Sequence, residues 1–422
     1  MRIAILTAGS RGDVEPYVAL GEGLAKAGHQ VALATHEGFS ELVRGRGLEY
    51  REFRGNPREL LESAMARRVV ESGERPVAFL RELFRLAREF TPGFLSEIKE
   101  ALWDADLIVF SGLGIPAYHV AEAKKVPAVA AFLQPLLPTR SFPYPFGPPS
   151  PLSRFGWYNL ASHLLTALAS WRMVARETNR WRQEELGLPP MSTREALERL
   201  RKLPLVLLGY SPKVVPPPSD WPPNAITTGY WRLSTSPGWN PPRHLLDFLS
   251  QHTEVAYVGF GSMRGPDPAG LIRAVVGALR RCRMPAVISR GWGGLAPEEG
   301  EDILLIDEVP HSWLFPRVSL LVHHGGAGTT AAGLLAGRPA VTVPFIADQF
   351  FWGERVWRLG AGTRPIPARS LTEDRLHQAL CRARNDPSLH AGARDLAREL
   401  NREDGVAAAV AAIERVALSG RV

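Results

Sequence analysis

The sequence has few cysteines and no long apolar segment. Only Cys282 and Cys381 occur among its 422 residues. They are too few for a disulfide framework, and both fall in helix-like segments where small buried apolar side chains are expected. No uninterrupted apolar run approaches the ~18 residues of a membrane span. The first residues predict a strand, not a signal peptide. We therefore expect a cytoplasmic globular protein, with peripheral contact to a membrane surface left open.

A concentrated basic stripe is also missing. The net charge is +7, but the excess is spread over both halves of the chain. No ribonucleoprotein-like motif and no zinc-finger spacing accompany it, so nucleic acid is not a predicted partner. A mild positive excess suits an anionic small ligand or an anionic membrane surface.

Ten short apolar runs alternate with helix-length segments. They are nearly all apolar rather than alternating, as expected of parallel strands covered on both faces. The first series is RIAILT, QVALAT, DLIVFS, AVAAFL and LVLLG, and the second is VAYVGFGS, AVISRG, DILLID, SLLVHH and AVTVPF. Two such series predict an α/β protein with two Rossmann-like, doubly wound parallel-sheet domains that face a cleft.

Proline content and helical periodicity set the predicted boundaries. We assign residues 1–215 to a first domain, 216–242 to an extended Pro-rich linker and 243–387 to a second domain. The final segment, 388–422, has helical period without a following strand, so it could pack back on the first domain. Ligands of open α/β sheets bind beyond the carboxyl ends of strands, which directs attention to the loops there.

The stretch HHGGAGTT, from His323 to Thr330, is such a loop. Its glycines allow close approach of the backbone to a ligand, and the following helix begins with unpaired N–H groups and a positive dipole end. These features favour a phosphate or diphosphate. A structural turn remains an alternative. A metal site is disfavoured, because neighbouring histidines on an extended backbone point to opposite faces.

The loop AGSRGDVEP follows the first strand. Asp13 comes just before a helix predicted to begin near Pro16, so its carboxylate suits an N-terminal cap, the interpretation that spacing alone favours. The alternative is a general base at the mouth of the cleft. Gly9 and Gly12 do not complete a dinucleotide fingerprint.

Three further loops contain polar or aromatic side chains after strands. Asp348 and Gln349 offer a carboxylate and a carboxamide suited to a polyol, with an N-cap as the alternative for Asp348. Ser262 could donate to a phosphate oxygen. His311 or Trp313 could meet a flat base, although core packing is the favoured interpretation of Trp313.

Two blocks carry a resemblance: GSRGDVEPYVALGEGL and PHSWLFPRVSLLVHHGGAGTTAAGLLAGRPAVTVPFIADQFFWGERV. They resemble the GT-B glycosyltransferases of family 1, in the branch of the sterol 3β-glucosyltransferases and the vancomycin-type antibiotic glycosyltransferases. The resemblance implies a second domain that binds a nucleotide sugar, usually UDP-glucose in the sterol enzymes, and a first domain that binds the acceptor. Plant members carry a ribose-binding Glu where this chain has Ala332, so the choice of base stays open.

The resemblance also implies roles for individual residues. Asp13 would take the acceptor proton, beside the first-loop residues Ser10, Arg11 and Gly12. The diphosphate would be held by Ser262, His324, Gly325, Gly326, Ala327, Gly328 and Thr329. Asp348 and Gln349 would contact the sugar hydroxyls. The uracil would be bordered by Val309, His311 and Trp313.

From these roles we expect an inverting, metal-independent hexosyltransferase with no cofactor, which uses UDP-glucose as donor and a hydrophobic alcohol such as a sterol as acceptor. A polyketide, peptide-antibiotic or flavonoid acceptor, or a non-catalytic nucleotide-sugar-binding protein, is the alternative. We expect a monomer or a weak homodimer. The aromatic side chains Trp157, Tyr158, Trp171 and Trp181 either line the acceptor site or a membrane surface, or pack in the core.

Overall fold

The structure of the protein is a computed structural model, and it describes residues 1–53, 93–235, 238–261, 263, 267–290 and 300–419. The strands are β1 Arg2–Leu6, β2 Gln30–Thr35, β3 Glu49–Glu52, β4 Leu107–Phe110, β5 Ala128–Phe132, β6 Leu205–Leu208, β7 Ala225–Thr227, β8 Ala256–Gly259, β9 Ala286–Ser289, β10 Ile303–Ile306, β11 Leu320–His323 and β12 Ala340–Thr342.

The helices follow the strands along the chain. They are α1 Arg11–Lys26, α2 Ser40–Arg44, α3 Ala117–Lys124, α4 Gly156–Glu184, α5 Thr193–Lys202, α6 Arg243–Gln251, α7 Pro268–Arg281, α8 His311–Leu314, α9 Ala327–Ala336, α10 Gln349–Arg358, α11 Glu373–Asn385, α12 Pro387–Leu400 and α13 Gly405–Ser419. Residues 93–102 are also helical. Among the described residues, no helix has both the length and the apolar character that crossing a bilayer requires.

The strands form two parallel sheets, as predicted. The first has the order β3-β2-β1-β4-β5-β6-β7 and the second the order β10-β9-β8-β11-β12. The order reverses beside β1 in the first sheet and beside β8 in the second. Crevices form at such reversals in doubly wound folds, so the loops after β1 and β11 lie where a ligand is expected.

Two strands differ from the sequence prediction. β3 was not predicted, because its sequence EYRE is polar; it pairs only with β2, at the edge of the sheet. β7 lies inside the segment predicted as linker, where it extends the first sheet by pairing with β6. The first sheet therefore continues to Thr227, past residue 216, where the linker was predicted to begin. Prolines flank β7 but do not interrupt it, as an edge strand allows.

The last helix, α13, packs against the first domain. Its Val406 and Val410 contact α1 so closely that a Cβ on Gly23 would lie 2.4 and 3.1 Å from their methyl groups. Buried Ala409 and Ile413 join the core beneath β1. The chain thus crosses back and ties the second half to the first.

The two cysteines lie together, away from this contact. Cys282 ends α7 and Cys381 lies on α11, with their Sγ atoms 3.5 Å apart as free thiols. Cys282 is buried and Cys381 half-buried, which agrees with a packing role.

Candidate functional site

The loop after β1 holds Asp13 in a fixed position. Its Oδ2 accepts hydrogen bonds from the Ser10 amide at 2.9 Å and the Ser10 hydroxyl at 2.8 Å. Gly9 has φ +134°, and a Cβ there would lie 2.6 Å from the same oxygen. The Gly9 amide donates to Nε2 of His36 at 3.2 Å. Glycine is therefore required where the backbone passes the carboxylate.

The Asp13 carboxyl combines a cap with partial exposure. Ser10, not Asp13, is the N-cap of α1, and Asp13 takes part as the third helical residue, whose side chain accepts from the Ser10 amide in a capping box. Burial raises the pKa of Asp13, although the bonds from Ser10 act in the opposite direction. The side chain keeps some accessible surface. A carboxylate with a raised pKa is the more basic, so capping leaves a proton-accepting role open.

The loop after β11 leaves its helix without a side-chain cap. Gly326 is the N-cap of α9 and contributes no side-chain acceptor. Gly325 has φ +85°, and a Cβ there would lie 2.8 Å from the Gln349 carbonyl oxygen. The first-turn amides at Ala327, Gly328 and Thr329 therefore have no partner from an N-cap side chain, the arrangement that binds anions at helix N-termini.

The two histidines of this loop differ in their surroundings. His323 is 1% exposed and its Nδ1 accepts from the Gly325 amide at 3.1 Å. The His324 ring lies between two glycines: a Cβ on Gly326 would be 2.4 Å from its Nε2, and one on Gly261 would be 3.2 Å from its Cε1. Burial lowers the pKa of His323 to about 3 and of His324 to about 4. Both rings are neutral near pH 7.

The loop after β12 contains a residue in the left-handed region, Ala347 at φ +54°. Asp348 occupies the N-cap position of α10, yet its side chain makes no capping bond. Its Oδ2 accepts instead from Nε1 of Trp352 at 3.0 Å. The neighbouring Gln349 stabilises the loop, since its Oε1 accepts from the amides of Phe345 and Ile346 at 2.8 and 3.2 Å. Asp348 therefore has the predicted N-cap position but not the side-chain bond of a cap.

Asp348 is a second acid with an altered pKa. Burial, together with the nearby negative charge of Asp13, raises the pKa of Asp348 to about 6. A hydrogen bond from Gln134, in the loop after β5, acts against this rise. The loops after β1, β5 and β12 thus meet at one place. Sequence analysis missed Gln134; its only signal is a polar residue directly after a predicted strand.

The domains touch at this place. A Cβ on Gly328 would lie 3.4 Å from Cα of Gly12, so the first turns of α9 and α1 abut across the cleft. Arg11 forms an ion pair with Glu308, which follows β10. The rings of Phe142 and Phe351 pack with centroids 5.4 Å apart.

Val309, His311 and Trp313, which were predicted to border the nucleotide base, lie in α8 of the second domain or just before it. The His311 ring stacks on Phe315 with centroids 4.3 Å apart, and burial lowers its pKa to about 4. Nearby positive charge at Arg11 also lowers that pKa, which places His311 close to the interdomain contact. Val309 packs partly buried against the core. Ser262 lies outside the described residues.

Trp313 is engaged in packing. Its ring meets Trp239 edge-on with centroids 5.4 Å apart, and the Arg317 guanidinium lies 4.3 Å from its centroid. Both contacts are of the kind that a packing role for Trp313 predicts. Trp171 and Trp181 are likewise buried, at 3% and 4% exposure.

The aromatic loop before α4 reaches the carboxylates. Burial raises the pKa of Tyr144, and the charge of Asp348 raises it further. The Tyr144 amide donates to Oγ of Ser162 on α4 at 2.8 Å. Its ring packs edge-on against His163 with centroids 5.5 Å apart. Tyr144 of the first domain therefore lies near Asp348 and is held there by α4.

Known proteins match this chain over nearly its whole length. A sterol 3-beta-glucosyltransferase of Emericella nidulans is 38% identical over 98% of the chain. Residues 3–143 match the glycosyltransferase family 28 N-terminal domain, and residues 297–414 match the C-terminal domain of erythromycin biosynthesis protein CIII-like proteins. The chain thus matches two glycosyltransferase domain models, one in each half, and its fold is that of the GT-B glycosyltransferases. It spans only about 30% of the length of the curated relatives that it matches.

Solved structures of the family have the same fold. The glycotransferase of kitacinnamycin is 22% identical, with a TM-score of 0.71 and 98% of each chain covered. A Streptomyces sp. SF2575 glycosyltransferase complexed with thymidine diphosphate is also 22% identical, with a TM-score of 0.63 over 98% of this chain and 99% of its own. The predicted fold class is confirmed.

Proposed function

We propose that the chain transfers a hexose, glucose in the first instance, from a UDP-sugar to a hydroxyl group of a hydrophobic acceptor such as a sterol. The single observation that carries this is the close approach of the Asp13 loop to the uncapped start of α9 across the cleft, where a Cβ on Gly328 would lie 3.4 Å from Cα of Gly12. A base and an anion site then face the same small volume. The name of the Emericella relative supports the choice of sterol.

Asp13 is the proposed general base. The acceptor oxygen gives its proton to the Asp13 carboxylate as it forms a bond to the anomeric carbon. The bond from that carbon to the diphosphate oxygen breaks on the opposite face, so the configuration inverts. The raised pKa of Asp13 supports this role, and a positioned base contributes about 10²–10⁴-fold to the rate.

The leaving diphosphate is the proposed ligand of the α9 terminus. The amides of Ala327, Gly328 and Thr329 would donate to it, and neutral His324 would add a hydrogen bond rather than a charge. Ser262 belongs to the same proposal. Preorganised donors of this kind stabilise developing charge by roughly 3 kcal/mol each. This chemistry needs no cofactor, since the nucleotide sugar is itself a substrate.

The sugar is the proposed ligand of the β12 loop. Asp348 retains acceptor capacity beyond its bond from Trp352, because a carboxylate has several lone-pair sites. Gln349 has its Oε1 committed to the backbone, so only its amide nitrogen remains for a hydroxyl. Val309, His311 and Trp313 stay the proposed neighbours of the base.

The test is a matrix of donors and acceptors. Purified protein is incubated with UDP-glucose, UDP-galactose, UDP-N-acetylglucosamine and TDP-glucose, each with a sterol, a flavonoid and a macrolide aglycone. Mass spectrometry reads the product, and NMR of the anomeric proton reads its configuration. We expect a β-glucoside of the sterol from UDP-glucose. An α-linked product, or no product from any pair despite donor binding, would contradict the proposal.

An antibiotic-type acceptor is the second candidate, favoured by the solved structures that share the fold. A product with the macrolide or flavonoid but not with the sterol would select it. The remaining alternative, a nucleotide-sugar-binding protein without activity, would give donor binding in calorimetry and no turnover with any acceptor.

A further inference from the structure

A patch of exposed apolar side chains covers the start of α4 and the segment before it. We call it the α4 patch, and it consists of Phe146, Leu152, Phe155, Trp157, Leu164 and Leu165. Trp157 is 61% exposed and Leu165 is 65% exposed. Six large apolar side chains are exposed within twenty positions of the chain, a concentration of the kind that marks a binding site.

The α4 patch has helical order. Trp157, Leu164, Leu165 and Leu168 recur at spacings of seven, one and three, which places them on one face of α4. Phe155 extends that face before the helix begins, since its ring stacks on Trp157 with centroids 6.4 Å apart. An apolar stripe with an exposed tryptophan is typical of helices that lie in a membrane interface.

Along the sequence, the charge around the α4 patch has one sign. Between Glu122 and Glu177 the sequence contains no aspartate or glutamate. Exposed Arg154, Arg172 and Arg176 fall in that interval. The Arg154 guanidinium lies 4.7 Å from the centroid of the Phe155 ring, so a cation accompanies the apolar surface. This pattern complements an anionic bilayer surface, where each arginine strengthens attachment.

The α4 patch is continuous with the acceptor side of the cleft. Phe146 packs beside Tyr144 with centroids 5.7 Å apart. Tyr144 is in turn close enough to Asp348 for that charge to raise its pKa. One aromatic side chain therefore separates the exposed surface from the acids.

We propose that the α4 patch docks on an anionic lipid bilayer and presents the mouth of the cleft to acceptors dissolved in that bilayer. The second part of this proposal rests on the proposed function. The first part concerns binding alone, so it can fail or hold whether or not the protein transfers a sugar.

Vesicle flotation tests the binding. Wild-type protein is mixed with phosphatidylcholine vesicles that contain or lack phosphatidylglycerol. We expect flotation with the anionic vesicles and at least tenfold weaker binding to the neutral ones. Flotation that is absent, or equal with both compositions, would overturn the proposal.

Paired variants locate the contact. Trp157→Ser with Leu165→Ser removes two apolar anchors, and we expect at least tenfold weaker binding to anionic vesicles. Trp103→Ser with Leu246→Ser is the matched control, since these residues are similarly exposed, at 46% and 44%, outside the patch. Equal binding by both double variants would overturn the assignment. So would a wild-type dimer that dissociates in the Trp157 variant while vesicle binding is unchanged.

Variants that remove exposed charges test the membrane contact with little risk of misfolding. Arg154→Gln with Arg172→Gln alters only exposed side chains, and we expect about fivefold weaker binding for each charge removed. Arg243→Gln with Arg273→Gln, in the second domain, should bind like wild type. Loss of binding in both pairs would show that net charge, not the α4 patch, controls attachment.

Turnover then separates docking from chemistry. With sterol in anionic vesicles, the Trp157 variant should have a raised KM, whereas with sterol in detergent its kcat and KM should match those of wild type. An equal loss in both assays would overturn the role of the patch in acceptor delivery. No turnover by wild type in either assay would contradict the proposed function and leave the flotation result intact.

Discussion

Two helices that face each other across the cleft, one from each domain, begin in opposite ways. In α1 the first three residues are Arg11, Gly12 and Asp13, and in α9 they are Ala327, Gly328 and Thr329. Each has glycine in second place, and those glycines meet across the cleft. In α1 the third residue is an acid that caps its own helix. In α9 the third residue is neutral and the N-cap is glycine.

The contrast separates a self-contained helix start from one prepared for a ligand. A carboxylate at the start of α1 occupies the amide of Ser10 and complements the positive end of the helix. The start of α9 leaves both its amides and its dipole for an external anion. Under the proposed function, these two facing helix starts would supply the base from one domain and the anion site from the other.

Replacing Asp13 should have the largest effect. In Asp13→Asn the amide oxygen can still accept from the Ser10 amide, so the cap survives while the base is lost. We expect kcat to fall about 10²–10⁴-fold with donor affinity within about twofold of wild type. Steady-state kinetics and calorimetry measure the two quantities. A variant within a few-fold of wild-type kcat would show that another group accepts the proton.

Placing an acid at Thr329, the position in α9 that Asp13 has in α1, should have the next largest effect. Thr329→Asp places a carboxylate at the helix start, where it stabilises the helix by about 0.3–1 kcal/mol and competes with the donor diphosphate. We expect a higher melting temperature and donor affinity weakened by about tenfold or more. Thr329→Asn is the neutral control. Equal donor affinity in the two variants would contradict an anion site at α9.

Replacing Asp348 should change the free energy of unfolding by an amount that depends on pH. The pKa of Asp348 is about 6 in the folded protein against an ordinary 3.8. Burial of the ionised carboxylate therefore does not reduce the free energy of unfolding below about pH 4, and the reduction grows as the pH rises to 6. Asp348→Asn should increase the free energy of unfolding by on the order of 1–3 kcal/mol at pH 7–8, and the gain should vanish near pH 4.

Asp220 supplies a control of opposite sign. Burial acts to raise its pKa, but hydrogen bonds from Thr139 Oγ1 and the Arg140 amide lower it overall. Asp220→Asn should therefore lose stability at neutral pH. Denaturant titrations at three pH values compare the variants. A stability gain for Asp348→Asn that is independent of pH would exclude the buried charge as its cause.

The ion pair between the loops should matter least. Arg11 and Glu308 join the two domains, but their side chains are largely exposed. Such pairs contribute about 0–1 kcal/mol. Arg11→Gln and Glu308→Gln should each change the melting temperature by a degree or two at low salt and by less at high salt. A larger, salt-independent change would show that this ion pair fixes the position of one domain against the other.

The sequence predicted the elements with strong local signals. Uniformly apolar strands were identified, since parallel strands covered on both faces leave no alternation. The glycine loop after β11 was identified because its composition fits only close backbone approaches. β3 and β7 were missed, because edge pairing tolerates polar or short segments that look like loops in isolation.

Side-chain roles were less predictable than positions. Asp13 and Asp348 both follow strands and precede helices, so spacing gives each the same capping interpretation. Only the packing of Trp352 and Gln134 around Asp348 distinguishes them. Among the tryptophans, composition could not separate buried Trp171 and Trp181 from exposed Trp157.

The amino-acid sequence by itself determined two doubly wound sheets and a glycine-lined helix start, because periodicity and backbone freedom are local properties. The tertiary structure decided which carboxylate caps, raised the pKa of both through burial, and set which aromatic residues reach the surface. Those properties depend on burial and on charges brought from distant parts of the chain, and α13 and the Gly12–Gly328 contact exist only once both domains have folded.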